Sequence, residues 1–429
     1  MKVPEIEYKT TAEIKHFQEE KLKSALKYLQ QYSPFYKRLF KENKISITEI
    51  VTLEDLEKIP VTTKNDLQEF NDEFLCVHKS KIIDYVTTSG TMGEPVTFAL
   101  TDKDLDRLAY NESISFSCSG VTKNDTIQLM TTMDRRFMAG IAYFLGSRKL
   151  GSAMIRVGSG IPELQWDSIK KFKPTYLICV PSFLLKMIDY AKEHSIDLDD
   201  TGVKGAICIG EPIRDENLEP NVLAKRILKH WNLSLFSTYA STEMGTAFNE
   251  CEYQVGGHLH PELIITEFLD ADNKPVKKGE VGELTITTLG VEGMPLLRFK
   301  TGDLMKMNYE ACLCGRSTPR LSPVIGRTQQ MIKYKGTTLY PPAMQNILNE
   351  FDEVETYLIE IFTNDVGTDE ILIKIASKYT TKELLEAIKN HFRAKLRVTP
   401  SIAILSVSEI NEIALPKMNR KPIRVLDRR

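Results

Sequence analysis

The chain of 429 residues has no apolar run that could span a bilayer. Its most apolar stretch, Tyr176 to Leu185, falls far short of the roughly 20 residues a spanning helix needs and contains Pro181. The N-terminus, MKVPEIEYKT, lacks the apolar core of a secretory leader, so the sequence reads as cytoplasmic. An excess of one charge is missing too. With 56 basic and 58 acidic residues the net charge is -2, which gives no global attraction to nucleic acid or an anionic membrane, so any nucleotide site must be local. Cysteine is scarce: the seven present, several inside apolar runs (Cys118, Cys179, Cys208), fit reduced buried thiols better than a disulfide framework. Internal repeats and low-complexity linkers are also lacking.

What is there suffices for large cores, since 42% of residues are hydrophobic, and the length suggests two to three domains. The first 75 residues read as a helical lead-in, with apolar spacing from Ala12 to Phe40 and a helix entry in IPVTTKNDL capped by Thr62 or Thr63. From about 82 to 325, short β-branched runs alternate with amphipathic segments: Thr126 to Thr131, Ala153 to Val157, Tyr176 to Val180, Gly205 to Ile209 and Ser234 to Thr238. This is the signature of an α/β fold with doubly wound parallel sheets. Between Leu263 and Leu321 closely spaced strands suggest an antiparallel, barrel-like piece. The remainder alternates strand and helix (Val354 to Phe362, Glu370 to Ser377, Thr381 to Leu396, Ser401 to Val407), as a small α+β domain would. The expected division is a large domain over 1–327 and a small one over 328–429.

Several clusters carry chemistry. Thr87-Thr88-Ser89-Gly90-Thr91-Met92-Gly93-Glu94-Pro95 combines hydroxyls with glycines whose freedom at positive φ lets backbone N–H groups wrap an anion. No Gly-Lys-Ser/Thr follows, so it is not a Walker A loop. Ile209-Gly210-Glu211-Pro212 and Tyr239-Ala240-Ser241-Thr242-Glu243 each follow an apolar strand, at the strand ends where doubly wound sheets bind ligands. Asp303, in Arg298-Phe299-Lys300-Thr301-Gly302-Asp303, supplies a carboxylate able to accept from two ribose hydroxyls, or is a solvated turn residue.

In order and spacing, PVTTKNDL, TTSGTMGEPVTF, YASTE, KKGEVGELTITTL, MPLLRFKTGDL, CLCGR, VIGR and LPKMNRKPIRV resemble the adenylate-forming superfamily of acyl-CoA synthetases, and most closely its phenylacetate-CoA ligase branch. The resemblance covers nearly the whole chain. It implies that a carboxylate attacks the α-phosphorus of ATP to give an acyl adenylate and pyrophosphate, after which the thiol of CoA displaces AMP. On that reading Ser89, Gly90, Thr91 and Gly93 hold the β- and γ-phosphates, and Thr242 and Glu243 meet the α-phosphate and Mg²⁺, a hard cation suited to oxygen ligands. Gly210, Glu211, Pro212 and Tyr239 with Ala240 and Ser241 surround the adenine, Asp303 takes the ribose, and Arg327 assists at ribose or phosphate. Lys421 aligns with the adenylation lysine, whose cation offsets charge where carboxylate and phosphate meet, although a tail with six basic residues from Lys417 on is also an ordinary solvated one. The Gly336 face approaches in the thiolation half-reaction, after rotation of the small domain. A homodimer is likewise implied by the resemblance alone.

The chain departs from the pattern in three places: Thr328-Gln329-Gln330 stands where acidic residues usually follow Gly-Arg, Arg420 precedes Lys421 in place of glycine, and Lys300 replaces an arginine. Cys312-x-Cys314, together with Cys251 and His258 with six residues between them, leaves ordinary thiols and a zinc site both open by spacing. The resemblance favours structural Zn²⁺ bracing the loop after Glu243, with His260 as the rival fourth ligand. Substrate choice is less legible. Ile209, Phe236, Ser237 and Ala240 suggest a pocket for an aryl acid, and Arg135-Arg136 either meet a second acidic group or a CoA phosphate or are simply exposed. Two further readings stand beside the ligase: an adenylating enzyme with another acceptor, such as a carrier-protein thiol or a small molecule that receives AMP, and a non-catalytic nucleotide-binding protein on the same scaffold.

Overall fold

The computed structural model describes residues 4–88, 95–334, 337–364, 368–377, 379, 381–414 and 423–429. The chain divides into two compact units, Met1–Thr301 with Met305–Pro323, and Gly302–Leu304 with Val324–Arg429.

In the first unit the helical lead-in forms because its caps are written locally. Helix α1 (Thr11–Tyr32) opens on a capping box in which Thr10 and Glu13 satisfy each other's backbone N–H, and it buries Leu22, Leu26 and Leu29. Helix α2 (Pro34–Glu42) follows with proline in its first turn. Of the two candidate caps for α3 (Lys64–Glu69), Thr63 is the one used. Thr62 is buried instead and donates its hydroxyl to the Leu297 carbonyl at 2.9 Å.

Strands β1 (Ile82–Thr87) and β2 (Thr97–Thr101) pair antiparallel with Thr87 opposite Thr97. The main sheet contains β3 (Thr126–Leu129), β4 (Ala153–Arg156), β5 (Tyr176–Cys179), β6 (Gly205–Cys208), β7 (Ser234–Ser241) and β8 (Thr246–Asn249), ordered β4-β3-β5-β6-β7-β8. It is parallel through β7, and β8 turns back antiparallel. Helices α4 (Asp102–Cys118), α5 (Met138–Leu150), α6 (Pro162–Phe172), α7 (Pro181–Glu193) and α8 (Val222–Leu228) cover it. Alternate residues face opposite layers: Leu177, Cys179, Ala206 and Leu235 pack on Trp166, Leu184 and Trp231, while Tyr176, Ile178, Ile207 and Phe236 pack on Phe116 and Tyr143. Burial on both faces makes the strands read as near-continuous apolar runs. One sheet thus carries the doubly wound pattern. Strand β7 also runs three residues past Thr238, so Tyr239, Ala240 and Ser241 lie in the strand, because β8 returns to pair with them.

Beyond it lie β9 (Gly257–His258), β10 (Ile264–Leu269) and β11 (Gly282–Thr288), the last two paired antiparallel from Ile264–Thr288 to Leu269–Glu283. Strand β12 (Phe299–Met305) gives its central residues to the second unit, and β13 (Met307–Asn308) and β14 (Arg320–Leu321) join β9 in a small sheet.

In the second unit β15 (Gly326–Arg327) pairs with β12 at Asp303, and β16 (Ile332–Tyr334) pairs with β17 (Thr337–Leu339). Then follow α9 (Pro341–Leu348), β18 (Val354–Thr363), β19 (Asp369–Ser377), α10 (Lys382–Leu396), β20 (Ser401–Ile404), α11 (Val407–Ala414) and β21 (Val425–Asp427). The sheet order is β20-β19-β18-β21. The strand expected to reach Val407 stops at Ile404, because Ser406 and Glu409 form a reciprocal cap that starts α11. Among the described residues no helix is long and apolar enough to cross a membrane.

Candidate active site and metal cluster

At the carboxyl ends of β6 and β7, on one rim of the parallel sheet, lie the candidate residues Gly210–Pro212 and Tyr239–Glu243. After β6, Gly210 sits at φ 78°, which bends the chain back over the strand ends. The Glu211 carboxylate accepts from Ser182 N at 2.9 Å and Ser182 Oγ at 3.0 Å, in the first turn of α7, where unpaired N–H groups favour an anion. With that carboxylate engaged, the turn offers a ligand its backbone and the Pro212 ring.

Tyr239 projects from β7 with its ring nearly parallel to that of Phe248, 6.3 Å apart at 11°. The two rings line a crevice with Ser237, Arg214, Gly256 and Pro323. Its wall is fixed by a buried ion pair: Arg214 Nε and Nη2 donate to Glu250, which also accepts from the backbone N–H of Ser237 (2.7 Å) and Gly256 (3.1 Å). A planar aromatic wall beside backbone polar groups is suited to a nucleobase.

Thr242 and Glu243 occupy the tight turn between β7 and β8, which is closed by Met244 N donating to Ser241 Oγ. Behind it, Arg107 of α4 is buried and donates to the carbonyls of Gly245 (2.6 Å), Leu263 (2.7 Å) and Leu289 (2.8 Å) and to Thr246 Oγ1 (3.1 Å). Burial pulls its pKa down to about 10. Arg107, Met138, Thr242 and Glu243 line a second hollow. At the base of the hydroxyl–glycine loop, Thr88 exchanges bonds with Val96 through Thr88 N to Val96 O and Val96 N to Thr88 Oγ1, both 3.0 Å. Ser89, Gly90, Thr91 and Gly93 lie outside the described residues, as do Gly336 and Lys421. Of the expected acid-pocket residues, Ile209 and Phe236 are buried in the core, while Ala240 is exposed. In the second unit Asp303 and Arg327 pair at 2.8 Å, with Arg327 partly open to solvent.

A second constellation lies where β8 ends. The ligand atoms of Cys251, His258, Cys312 and Cys314 all fall within 4.8 Å of one another. Cys251 Sγ is 3.6 Å from Cys312 Sγ, and Cys314 Sγ is 3.4 Å from His258 Nε2. Tetrahedral zinc with bonds of about 2.3 Å to sulfur sets its sulfurs roughly 3.8 Å apart, so this donor set fits such an ion. His258 Nδ1 contacts Thr318 Oγ1 at 3.0 Å, which leaves Nε2 for the cluster, and burial holds its pKa down at about 3, keeping the ring neutral. His260 is excluded as the fourth ligand by its partners: Nδ1 meets Glu7 Oε1 at 2.6 Å and Nε2 meets Ser115 Oγ at 3.3 Å. Glu7 also accepts from Arg316 Nε at 2.8 Å, tying the N-terminal segment to the cysteine loop. Sequence reasoning passed over Arg107, the Arg214–Glu250 pair, Glu7 and Thr318. Their partners lie far away in the chain, and no short motif announces them.

Residues 31–293 match the family model described as AMP-binding enzyme, and residues 336–429 match that of the AMP-binding enzyme C-terminal domain. The chain therefore belongs to the AMP-binding enzyme family. Among curated proteins it is similar to the phenylacetate-coenzyme A ligase of Thermus thermophilus, 29% identical over 378 residues that cover 87% of this chain and 83% of that protein. It is also similar to the phenylacetate-coenzyme A ligase of Escherichia coli, 25% identical over 443 residues that cover 100% and 98%. A crystal structure of a 2-hydroxyisobutyryl-CoA ligase in the postadenylation state superposes with a TM-score of 0.86 at 22% identity, covering 99% of this chain and 92% of that one.

Proposed function

We propose that this protein is an AMP-forming CoA ligase: it adenylates a carboxylic acid with ATP and transfers the acyl group to the thiol of CoA. The observation that carries the reading is the rim itself. An aromatic crevice at Tyr239 and the Thr242–Glu243 turn lie at the carboxyl end of β7, and the separate β1–β2 hairpin, which carries the base of the hydroxyl–glycine loop at Thr88, is tied to the turn after β3 by Thr87 N and the Arg136 carbonyl, in a chain similar over nearly its full length to phenylacetate-coenzyme A ligases.

The division of labour follows from the side chains. Tyr239 and the Gly210–Pro212 backbone hold the base, with the Arg214–Glu250 pair keeping the crevice wall rigid. Thr242 donates its hydroxyl to the α-phosphate. Glu243 offers the oxygen ligand for Mg²⁺, which when bound neutralises phosphate charge as pyrophosphate leaves. Ser89, Gly90, Thr91 and Gly93 are assigned to the outer phosphates, Asp303 to the ribose with Arg327 holding its carboxylate, Lys421 to the developing charge at the α-phosphorus, and Gly336 to the thiol step. Cys251, His258, Cys312 and Cys314 hold structural zinc, which braces a loop and takes no part in the chemistry. The acid is aryl, and the working form is a homodimer in the cytoplasm.

The decisive experiment measures acid-dependent pyrophosphate release with ATP and Mg²⁺ across aryl, dicarboxylic and short aliphatic acids, with and without CoA. Release that yields a thioester establishes the ligase and names its acid. Release indifferent to CoA overturns the choice of acceptor, and silence across the panel overturns the enzyme. Asp303→Ala should weaken ATP binding, and Lys421→Ala should abolish adenylation while sparing thiolation of a preformed adenylate.

A further inference from the structure

Between β3 and α5 the chain makes a turn in which Arg135 and Arg136 both adopt left-handed backbone, each at φ 57°. That region is sterically disfavoured for residues other than glycine, and two in succession persist only where the surroundings fix them. Here the fixing is visible. The Arg136 carbonyl accepts from Thr87 N at 3.0 Å, Phe137 N donates to the Asp134 carbonyl at 3.2 Å, and Asp134 is engaged by the Thr132 hydroxyl. On the other side Gly140, in the first turn of α5, lies so close that a Cβ there would sit 2.4 Å from the Thr132 carbonyl oxygen.

The turn is thus held between the strand that enters the hydroxyl–glycine loop and the helix whose Met138 lines the hollow with Thr242 and Glu243. Met133, inside the turn, packs on the core that contains Ile209 and Phe236. Both arginines are exposed, and no hydrogen bond or ion pair joins either guanidinium to another described residue. A solvated arginine needs no special backbone. Two exposed guanidinium groups, unpaired among the described residues, on a turn whose backbone is held from both sides offer an anion two planar donor forks.

We propose that Arg135 and Arg136 form a recognition site for a second anionic oxygen group on a reactant, either a carboxylate remote from the one activated or a phosphate of CoA. The inference rests on the ligase reading and adds to it a determinant of which reactants are accepted.

The test compares the full chain with Arg135→Gln/Arg136→Gln in steady-state kinetics. Matched acids (butyrate with succinate, phenylacetate with 4-carboxyphenylacetate) probe the carboxylate source, and CoA with dephospho-CoA probes the phosphate source. Losing a charge-assisted hydrogen bond should lower the diacid-to-monoacid ratio of kcat/KM, or raise KM for CoA, by about tenfold to a hundredfold. If the 3′-phosphate is the ligand, the parent and the variant should bind dephospho-CoA alike. Arg135→Lys/Arg136→Lys should recover part of the loss, since charge returns without the fork. Ratios and KM values within twofold of the parent would overturn the site, as would a rise confined to ATP, which would place the pair in the nucleotide pocket. A parent that releases no pyrophosphate with any acid removes the ligase reading and this site with it, whereas an active parent with an indistinguishable variant removes the site alone.

Discussion

Arg107→Lys isolates what holds the Thr242–Glu243 turn. The guanidinium is buried and serves four acceptors at 2.6–3.1 Å, three of them carbonyls with little access to water. An ammonium keeps the charge but has three donors on a compact head, and it cannot reproduce a planar fork aimed at Leu289, Gly245 and Leu263 together. Two of the four bonds should be lost. With charged donors worth about 1.5–3 kcal/mol each and some recovery by relaxation, the net cost is about 3 kcal/mol. For a unit of this size that lowers Tm by roughly 4–5 °C, measured by differential scanning calorimetry on the full chain. Because the Gly245 carbonyl is released, the turn should loosen, and kcat for adenylation should fall more than KM for ATP rises. A Tm within 1 °C of the parent would refute the argument, since it would mean that the fork contributes nothing a point charge cannot.

Other perturbations test separate parts. Glu112 is a buried carboxyl on α4 that receives a hydrogen bond from Asn111 Nδ2, and burial raises its pKa to about 8. Because the folded value is the higher one, its contribution to stability is fully present at acid pH, below the unfolded value, and is lost as pH rises through about 8. Glu112→Gln should therefore flatten the decline of Tm with pH and be the more stable form at pH 8 by on the order of a few kcal/mol; parallel Tm profiles would show that Glu112 is ionised in the fold. Glu250→Gln leaves Arg214 buried without its counter-charge and should cost about 3–5 kcal/mol, visible in chemical unfolding together with a raised KM for ATP. Cys314→Ser should lower bound zinc and Tm together, and full zinc occupancy in that variant would reject the cluster.

Much of this architecture was legible because local signals and burial agree. The apolar runs at Tyr176 and Gly205 are read as parallel strands since both faces are covered, and the capping boxes at Thr10 and Thr63 are written within four residues. The errors came where a neighbour decided. The apolar run of β7 ends at Thr238, yet pairing with β8 extends the strand to Ser241. The Ser401 run looked long enough to reach Val407, but Ser406 and Glu409 prefer a cap. Ile209 and Phe236, expected at an acid pocket, are buried in the core that packs on Phe116 and Tyr143. Pairs such as Arg107 with Gly245, or Glu7 with His260, join residues 138 and 253 positions apart, and nothing in either local sequence names the other.

The cysteine–histidine cluster and the aromatic crevice are consequences of one loop. Glu250 anchors its start to Arg214 and to the amides of Ser237 and Gly256; Cys251 follows at once, and Gly256-Gly257 lead into His258. The glycines are required by space: a Cβ at Gly256 would come 2.7 Å from the Leu321 carbonyl, and one at Gly257 2.7 Å from the Phe248 carbonyl. Within it, Gln254 accepts from Arg214 at 3.0 Å and Val255 packs against the cysteines. The proposed zinc would crosslink its two ends, Cys251 and His258, to Cys312 and Cys314, and the buried Glu7, bonded to His260 and Arg316, holds the same region from the N-terminal segment. The role proposed for the metal is therefore positional, in that it keeps Gly256 against the crevice at Tyr239 that is proposed to receive the nucleobase, with the buried Phe248 ring behind it.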